Sequence, residues 1–135
     1  MKRFILIMAS AALLCACQES LENRAERESK EYTQRMCPTP IYNNTRTDSV
    51  TFDKATKTYT YHCSFFNVLD DSAAINRVKD QLYVDLRKGI TEDTHIKAYK
   101  EAGFNFHYLC HSAKNPKIIL FEALYKAQDV TGEAK

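Results

Sequence analysis

Histidines and cysteines gather in two short segments of this chain. His62 and Cys63 are neighbours, and His107, Cys110 and His111 follow later in the sequence. Zinc and copper bind such side chains, so the set suggests a metal site. However, the spacing matches no established zinc signature, and strand alternation would put each His–Cys neighbour pair on opposite faces of a sheet. We therefore predict no metal site and no other cofactor here, only solvent-exposed histidines.

The cysteines could instead form a disulfide or provide a nucleophile. A nucleophilic thiol needs an accessible, electropositive setting, whereas Cys63 and Cys110 alternate with aromatic residues and should be buried. Cys37 is the third cysteine beyond the N-terminal segment, and three thiols allow one intramolecular bridge. If the two strands adjoin, we expect a Cys63–Cys110 disulfide. A bridge that uses Cys37, or buried free thiols, are the alternatives.

No other pattern indicates catalysis. The glycines lie only at 89, 103 and 132, so no glycine-rich phosphate loop exists. The carboxylates of Asp70 and Asp71 precede a helical pattern and are explained by helix capping. We therefore predict that the protein is not an enzyme.

The N-terminus has the pattern of an export signal. Lys2 and Arg3 precede an apolar or small-residue run over 4–14, which is too short to span a bilayer. The residues Leu14, Cys15, Ala16 and Cys17 resemble the lipobox of bacterial lipoproteins. That resemblance implies cleavage after residue 16, loss of Cys15 with the leader, and acylation of Cys17. More than one acyl chain would anchor the protein stably in a membrane.

The lipoprotein resemblance also bears on the membrane. Gln18 and Glu19 follow Cys17; in enterobacterial sorting an Asp there favours retention in the inner membrane. The resemblance therefore favours the outer membrane, facing the periplasm. Without the leader, basic and acidic residues balance, which argues against a nucleic-acid partner.

The rest of the chain divides by composition. Residues 17–36 are highly charged with no apolar face, which predicts a solvated, partly helical tether behind the anchor. A single domain should cover residues 37–128, and residues 129–135 should be a flexible tail.

Within 37–128 the hydrophobic periodicity predicts two hairpins and two helices. Residues 48–53 and 58–66 alternate as a β-hairpin, residues 70–88 have helical spacing up to Gly89, and a shorter helix should end at Gly103. Residues 104–111 alternate again, and residues 117–125 suggest a strand buried on both faces, with helix as the alternative there. The predicted fold is α+β: a four-stranded antiparallel sheet, β-β-α-α-β-β, with a helix pair on one face.

This order of elements is similar to small uncharacterised lipoproteins and secreted proteins of Gram-negative bacteria, which implies an envelope location but no catalytic motif. We expect a non-enzymatic envelope protein that binds another protein, either an assembly factor or a toxin or enzyme that it neutralises. The expected binding surface is the uncovered sheet face, with His62, Phe66, His107 and Leu109, together with a free sheet edge. The alternative is a small-ligand or metal-binding protein that uses the His/Cys cluster.

Overall fold

The computed structural model of the chain describes residues 18–132. Its elements, in chain order, are α1 (Leu21–Met36), β1 (Thr45–Asp53), β2 (Thr58–Phe65), a single 3-10 turn (Asn67–Leu69), α2 (Ser72–Glu92), α3 (Lys97–Glu101), β3 (Asn105–Ser112), β4 (Ile119–Tyr125) and α4 (Ala127–Val130). The predicted leader 1–16 and the lipidation site Cys17 lie outside the described residues. Within them, no helix combines the length and apolarity needed to cross a bilayer.

The four strands form one sheet in the order β1-β2-β3-β4. The α+β class, the strand count and the first hairpin agree with the prediction. The outer pairs, β1/β2 and β3/β4, are antiparallel.

The prediction of an entirely antiparallel sheet was wrong, because the central pair β2/β3 is parallel. The connection explains the difference. Helix α2 has 21 residues and, at about 1.5 Å per residue, returns the chain across the full height of the sheet. Helix α3 has only five residues, too few to cross again, so β3 starts beside the start of β2. A parallel pair needs such a helical crossover.

The helices cover one face of the sheet. This covered face carries the aromatic side chains of the strands and the fully buried Phe65, Phe104, Phe106 and Tyr125. Helix α1 packs mainly against β1, and α2 packs mainly against β4. The opposite, open face carries mostly polar side chains, so the sheet has the one-sided hydrophobic pattern of an antiparallel meander despite its parallel centre.

Helix α1 is part of the domain and not the solvated tether that the sequence predicted. The hydroxyl of Ser20 accepts a hydrogen bond from the Asn23 amide at 3.2 Å and caps the helix. Ala25 and Ser29 are buried against the sheet, and the Thr33 hydroxyl bonds both the N–H (2.8 Å) and the C=O (2.9 Å) of Val50. Small buried residues and one threonine replace the apolar stripe whose absence suggested a free arm.

Three further expectations differ from the structure. Helix α2 continues through Gly89 to Glu92, where Asp93 is the C-cap residue. Strand β4 is buried on one face only, with Ile119 exposed, because no element covers the open face. The C-terminal segment is not wholly a tail, since α4 buries Val130 against the domain. Gly103 does follow α3, with a φ of 85° that a side chain would disfavour.

Candidate partner-binding surfaces

Six tyrosine rings form a continuous chain across the covered face. Neighbouring rings are 4.7 to 6.3 Å apart between centroids, from α3 through β2, β3 and β4 to α2. In order, they are Tyr99, Tyr59, Tyr61, Tyr108, Tyr125 and Tyr83. Stacked and edge-to-face aromatic pairs add to the energy of burial, so this chain joins three strands and two helices.

The middle of this chain lies on the two central strands. Tyr61 and Tyr108 stack there at 4.7 Å, between α1, which packs on β1, and α2, which packs on β4. Both residues are only partly buried, and their hydroxyls are not among the buried polar atoms of residues 18–132 that lack a hydrogen-bond partner. We call the surface formed by Tyr59, Tyr61 and Tyr108 the tyrosine trough.

The electrostatics keep these phenols protonated. Burial raises the pKa of Tyr61 and of Tyr108 well above the ordinary value, and it raises the pKa of Tyr59 to about 12. The carboxylates of Glu28 and Asp93 add to the shift at Tyr59. Each hydroxyl in the tyrosine trough is therefore a neutral hydrogen-bond donor set in an aromatic surface.

The two helices supply the walls. On α1, Tyr32 is 40% exposed, and burial followed by the Cys37 and Cys63 thiols raises its pKa, which places it beside the trough. On α2, Leu82 and Leu86 pack half-buried against the core. Tyr99 closes one end, where its hydroxyl donates to Glu28. Burial alone would raise the pKa of Glu28, but hydrogen bonds from Tyr99 and Arg24 outweigh it and lower that pKa.

The open face brings together three of the four residues predicted to bind a partner. His62 and Leu109 are register partners in the parallel pair, and His107 is on the same face of β3. Both histidine rings already form hydrogen bonds: His62 Nε2 lies 3.1 Å from Thr51 Oγ1, and His107 Nε2 lies 2.8 Å from Glu122 Oε1.

The fourth predicted residue, Phe66, lies just beyond β2, where the Arg46 guanidinium stacks 4.9 Å above its ring. Arg46 also bonds Asp48 at 2.6 Å, and the Ser64 hydroxyl donates to the same carboxylate. Phe66 is therefore tied into a local polar cluster at the end of the sheet.

His111 also lies on the open face, where it is the register partner of Ser64. Its Nδ1 is the one buried side-chain nitrogen or oxygen among residues 18–132 that lacks a hydrogen-bond partner. Across the same residues, no three His, Cys, Asp or Glu side chains are arranged to hold a metal ion.

Cys63 and Cys110 are direct register partners on the covered face, and both are buried. The sequence predicted this juxtaposition. Their thiols are free here, as is that of the half-buried Cys37, so the disulfide stays a prediction. The neighbouring Cys63 thiol, together with burial, holds the pKa of Cys110 well above its usual range, which disfavours a nucleophilic thiolate at Cys110.

The two edges of the sheet differ. Backbone groups on the β1 edge already have hydrogen-bond partners. The Thr33 hydroxyl bonds the backbone of Val50. The Thr39 hydroxyl accepts from the Thr47 N–H, and the Thr39 N–H donates to the Thr47 C=O, each at 3.0 Å. Strand β4 pairs with β3 alone and exposes Ile119 and Leu124. Any strand added to this sheet would have to join at β4.

A pocket of about 220 Å³ lies between the ends of α2, α3 and α4. Lys100 lines it, and the buried ammonium donates to the carbonyl oxygens of Ile90, Thr91 and Asp93 at 2.8 to 2.9 Å. The ammonium satisfies the last carbonyls of α2 and complements the negative end of that helix. Its role in this structure is to terminate α2.

Residues 20–121, from the cap of α1 into β4, match the protein family described as Domain of unknown function (DUF8479). The chain belongs to this family. The matched region includes α1, in agreement with the packing of that helix as part of the domain. No curated protein matches the sequence.

Solved structures share the fold at low sequence identity. PA3611 of Pseudomonas aeruginosa, considered a secreted protein, is 12% identical with a TM-score of 0.64, and the match covers 84% of this chain and 99% of that one. EpsS, the pilotin of the Vibrio vulnificus type 2 secretion system, is 10% identical with a TM-score of 0.62, over 83% and 93%. AspS, the type II secretion system pilotin of Vibrio cholerae, is 11% identical with a TM-score of 0.59, over 80% and 90%.

Sequence reasoning missed the tyrosine trough. It took Tyr59, Tyr61 and Tyr108 as core residues because they alternate on the inward side of their strands. The signal that could have separated them is chemical: a phenol needs a partner for its hydroxyl when buried. Tyr125 has one, since its hydroxyl donates to the Tyr83 carbonyl at 2.8 Å.

Proposed function

We propose that this protein is a non-enzymatic, lipid-anchored adapter of the bacterial envelope, which binds a segment of a secretion-system subunit in the tyrosine trough. The single observation that carries the proposal is the fold, which two type II secretion pilotins share over at least 80% of this chain. The lipobox resemblance at Cys17 supports the anchor, with the outer membrane facing the periplasm as the proposed location.

The tyrosine trough is favoured over the open face by its partly exposed aromatic surface. Tyr61 and Tyr108 present stacked rings on partly exposed residues, whereas on the open face His62 and His107 already bond Thr51 and Glu122 and the buried Nδ1 of His111 lacks a partner. A partner at His62 or His107 would have to replace existing hydrogen bonds. A partner in the trough gains aromatic contact and hydrogen bonds to the two hydroxyls.

The shape and chemistry of the trough describe its ligand. Two helices flank an aromatic floor, an arrangement that accepts the apolar face of an amphipathic segment. We therefore propose a short amphipathic segment as the bound element.

Site-specific photo-crosslinking in cells tests the proposal. A photoreactive phenylalanine replaces Tyr32 at the trough wall in one variant and Leu109 on the open face in a matched control, each in the full-length chain. We expect the Tyr32 variant, and not the Leu109 variant, to crosslink a peptide of a secretion-system subunit, identified by mass spectrometry. Crosslinks from Leu109 alone would favour the open face and contradict the trough.

Purified components then test the two hydroxyls. Tyr61→Phe and Tyr108→Phe each remove one donor without changing the aromatic floor. We expect each to weaken binding of the identified peptide roughly fivefold, since a hydrogen bond contributes about 1 kcal/mol. Unchanged affinity in the double variant would show that the hydroxyls do not contact the partner.

A further inference from the structure

The folded domain begins almost directly after the proposed lipidation site. Gln18, Glu19 and Ser20 alone separate Cys17 from α1, and Ser20 already caps the helix. Glu19 is tied back as well, because its carboxylate pairs with Arg27 at 2.9 Å. The four steps from Cys17 to Leu21 reach at most about 14 Å when fully extended. The N-terminus of α1 must therefore lie within that distance of Cys17.

Contacts along α1 identify the end of the domain that this short connection holds. Helix α1 runs antiparallel to β1: Glu22 pairs with Lys57 at 3.7 Å and Glu26 with Lys54 at 2.6 Å, while Thr33 lies beside Val50. The first turn of α1 and the β1–β2 turn at 53–57 therefore lie together. We call this pair of turns the anchor end.

The loops at the opposite end are joined to one another. The Asn67 side chain donates to that of Asn44 at 3.0 Å, and the Lys114 amide donates to Asp70 at 2.9 Å. We call the three loops at 37–44, 66–71 and 113–118 the far end.

The two ends differ in exposed apolar surface. None of the large hydrophobic side chains exposed within residues 18–132 belongs to the anchor end, where Lys54, Lys57, Glu22 and Glu26 pair instead. At or beside the far end, large apolar side chains are 45 to 77% exposed: Met36, Ile41, Tyr42, Val68 and Ile118. A charged surface stays at the level of the lipid headgroups, while exposed apolar patches mark protein contacts.

We propose that acylated Cys17 holds the anchor end against the phospholipid surface and that the far end projects away from the membrane. Helix α1 has 16 residues, a length of about 24 Å, which is the approximate separation of the two ends. The proposal rests on the lipid anchor of the proposed function. It adds a fixed orientation, which a solvated tether would not impose.

Lysine labelling on vesicles tests the orientation. The full-length acylated protein is reconstituted into phospholipid vesicles and treated with a water-soluble amine reagent, and mass spectrometry follows Lys54 and Lys57 at the anchor end and Lys114 and Lys117 at the far end. The matched variant carries a long Gly/Ser insertion between Gln18 and Glu19, which frees the domain from the surface. We expect severalfold slower labelling of Lys54 and Lys57 in the native chain than in the insertion variant, with Lys114 and Lys117 unchanged.

A Cys17→Ser variant separates the two levels of the proposal. If native protein stays on the vesicles, Cys17→Ser does not, and Lys54 and Lys57 react equally fast with and without the insertion, the orientation is overturned and the anchor stands. Selective protection of Lys114 and Lys117 would also overturn it, because it would place the far end on the membrane. If native protein and Cys17→Ser are both released from vesicles, the anchor itself is overturned, and with it the lipid-anchored part of the proposed function.

Discussion

The two faces of the sheet are built from the same four strands but satisfy their polar groups in different ways. On the open face, histidines, threonines and carboxylates bond one another, as in the contacts of His62 with Thr51 and of His107 with Glu122. On the covered face, tyrosines pack ring against ring, and Tyr61 and Tyr108 stack at 4.7 Å between the two central strands.

This difference separates the surfaces that stabilise the fold from those that can bind. Polar groups that are already paired, such as those of His62 and His107, offer a partner little that water does not already offer, and the unpaired Nδ1 of His111 is buried. A partly exposed aromatic surface that carries hydroxyl groups offers both apolar area and hydrogen bonds. Substitutions on the two faces should therefore affect stability and binding in different proportions.

The largest difference between the faces is expected at their centre. Phe106 on β3 is fully buried on the covered face, and Phe106→Ala should reduce the free energy of unfolding by about 3–5 kcal/mol. The matched change Leu109→Ala, on the same strand but on the open face, should reduce it by about 1 kcal/mol or less. Urea denaturation of both variants measures this, and equal losses would mean that the open face is also part of a packed core.

A disulfide would strengthen the covered face further. If Cys63 and Cys110 form a disulfide in the oxidising envelope, thiol alkylation of unreduced protein should label only Cys37 among the three described cysteines. Reduction should then release two more thiols and reduce the free energy of unfolding by about 2–4 kcal/mol.

The control for the disulfide is Cys37→Ser, which leaves the proposed bridge intact and should lose all labelling of the unreduced mature domain. Three alkylated thiols in unreduced wild-type protein would show that Cys63 and Cys110 act as small buried hydrophobic residues.

The alternating strands could be predicted because their pattern is local. Tyr59, Tyr61 and Cys63 repeat with a period of two, which identifies the strand and its inward side without knowledge of its neighbours. The same pattern correctly placed Cys63 and Cys110 on one face.

The parallel pairing and the packing of α1 depend on features that no local pattern records. Whether β3 lies parallel to β2 depends on how many times the connecting helices cross the sheet, and α3 is too short to cross. Helix α1 packs through Ala25, Ser29 and Thr33, which are too small or too polar to mark a buried stripe. The tyrosine trough was missed for a related reason, since its place between α1 on β1 and α2 on β4 depends on tertiary packing.

The packing of α1 depends on Thr33, which gives an intermediate effect. Thr33→Val keeps the size of the side chain but removes both hydrogen bonds to the Val50 backbone. We expect a loss of about 1–2 kcal/mol in the free energy of unfolding, because a part-buried N–H and C=O lose their partner. The matched change Thr51→Val, on the open face of β1, removes only an exposed contact with His62 and should change the free energy of unfolding by about 0.5 kcal/mol or less. A loss at Thr33 no larger than that at Thr51 would show that water replaces the hydroxyl at the β1 edge.

The smallest effect should appear on the open face as a dependence on pH. Burial, followed by the nearby His111 and His107, lowers the pKa of His62 below its ordinary value of 6.5. Just below pH 6.5, His62 therefore binds a proton in the unfolded chain but stays neutral in the folded protein. The contribution of His62 to stability is complete above about pH 6.5 and is lost as the pH falls through its folded-state pKa. Urea denaturation between pH 5 and 8 should show a shallower decline for His62→Gln than for wild type, with the offset at pH 8 reporting the lost contact with Thr51. Parallel curves for the two proteins would mean that His62 titrates as it does in the unfolded chain, and that the open face is more hydrated than its hydrogen bonds indicate.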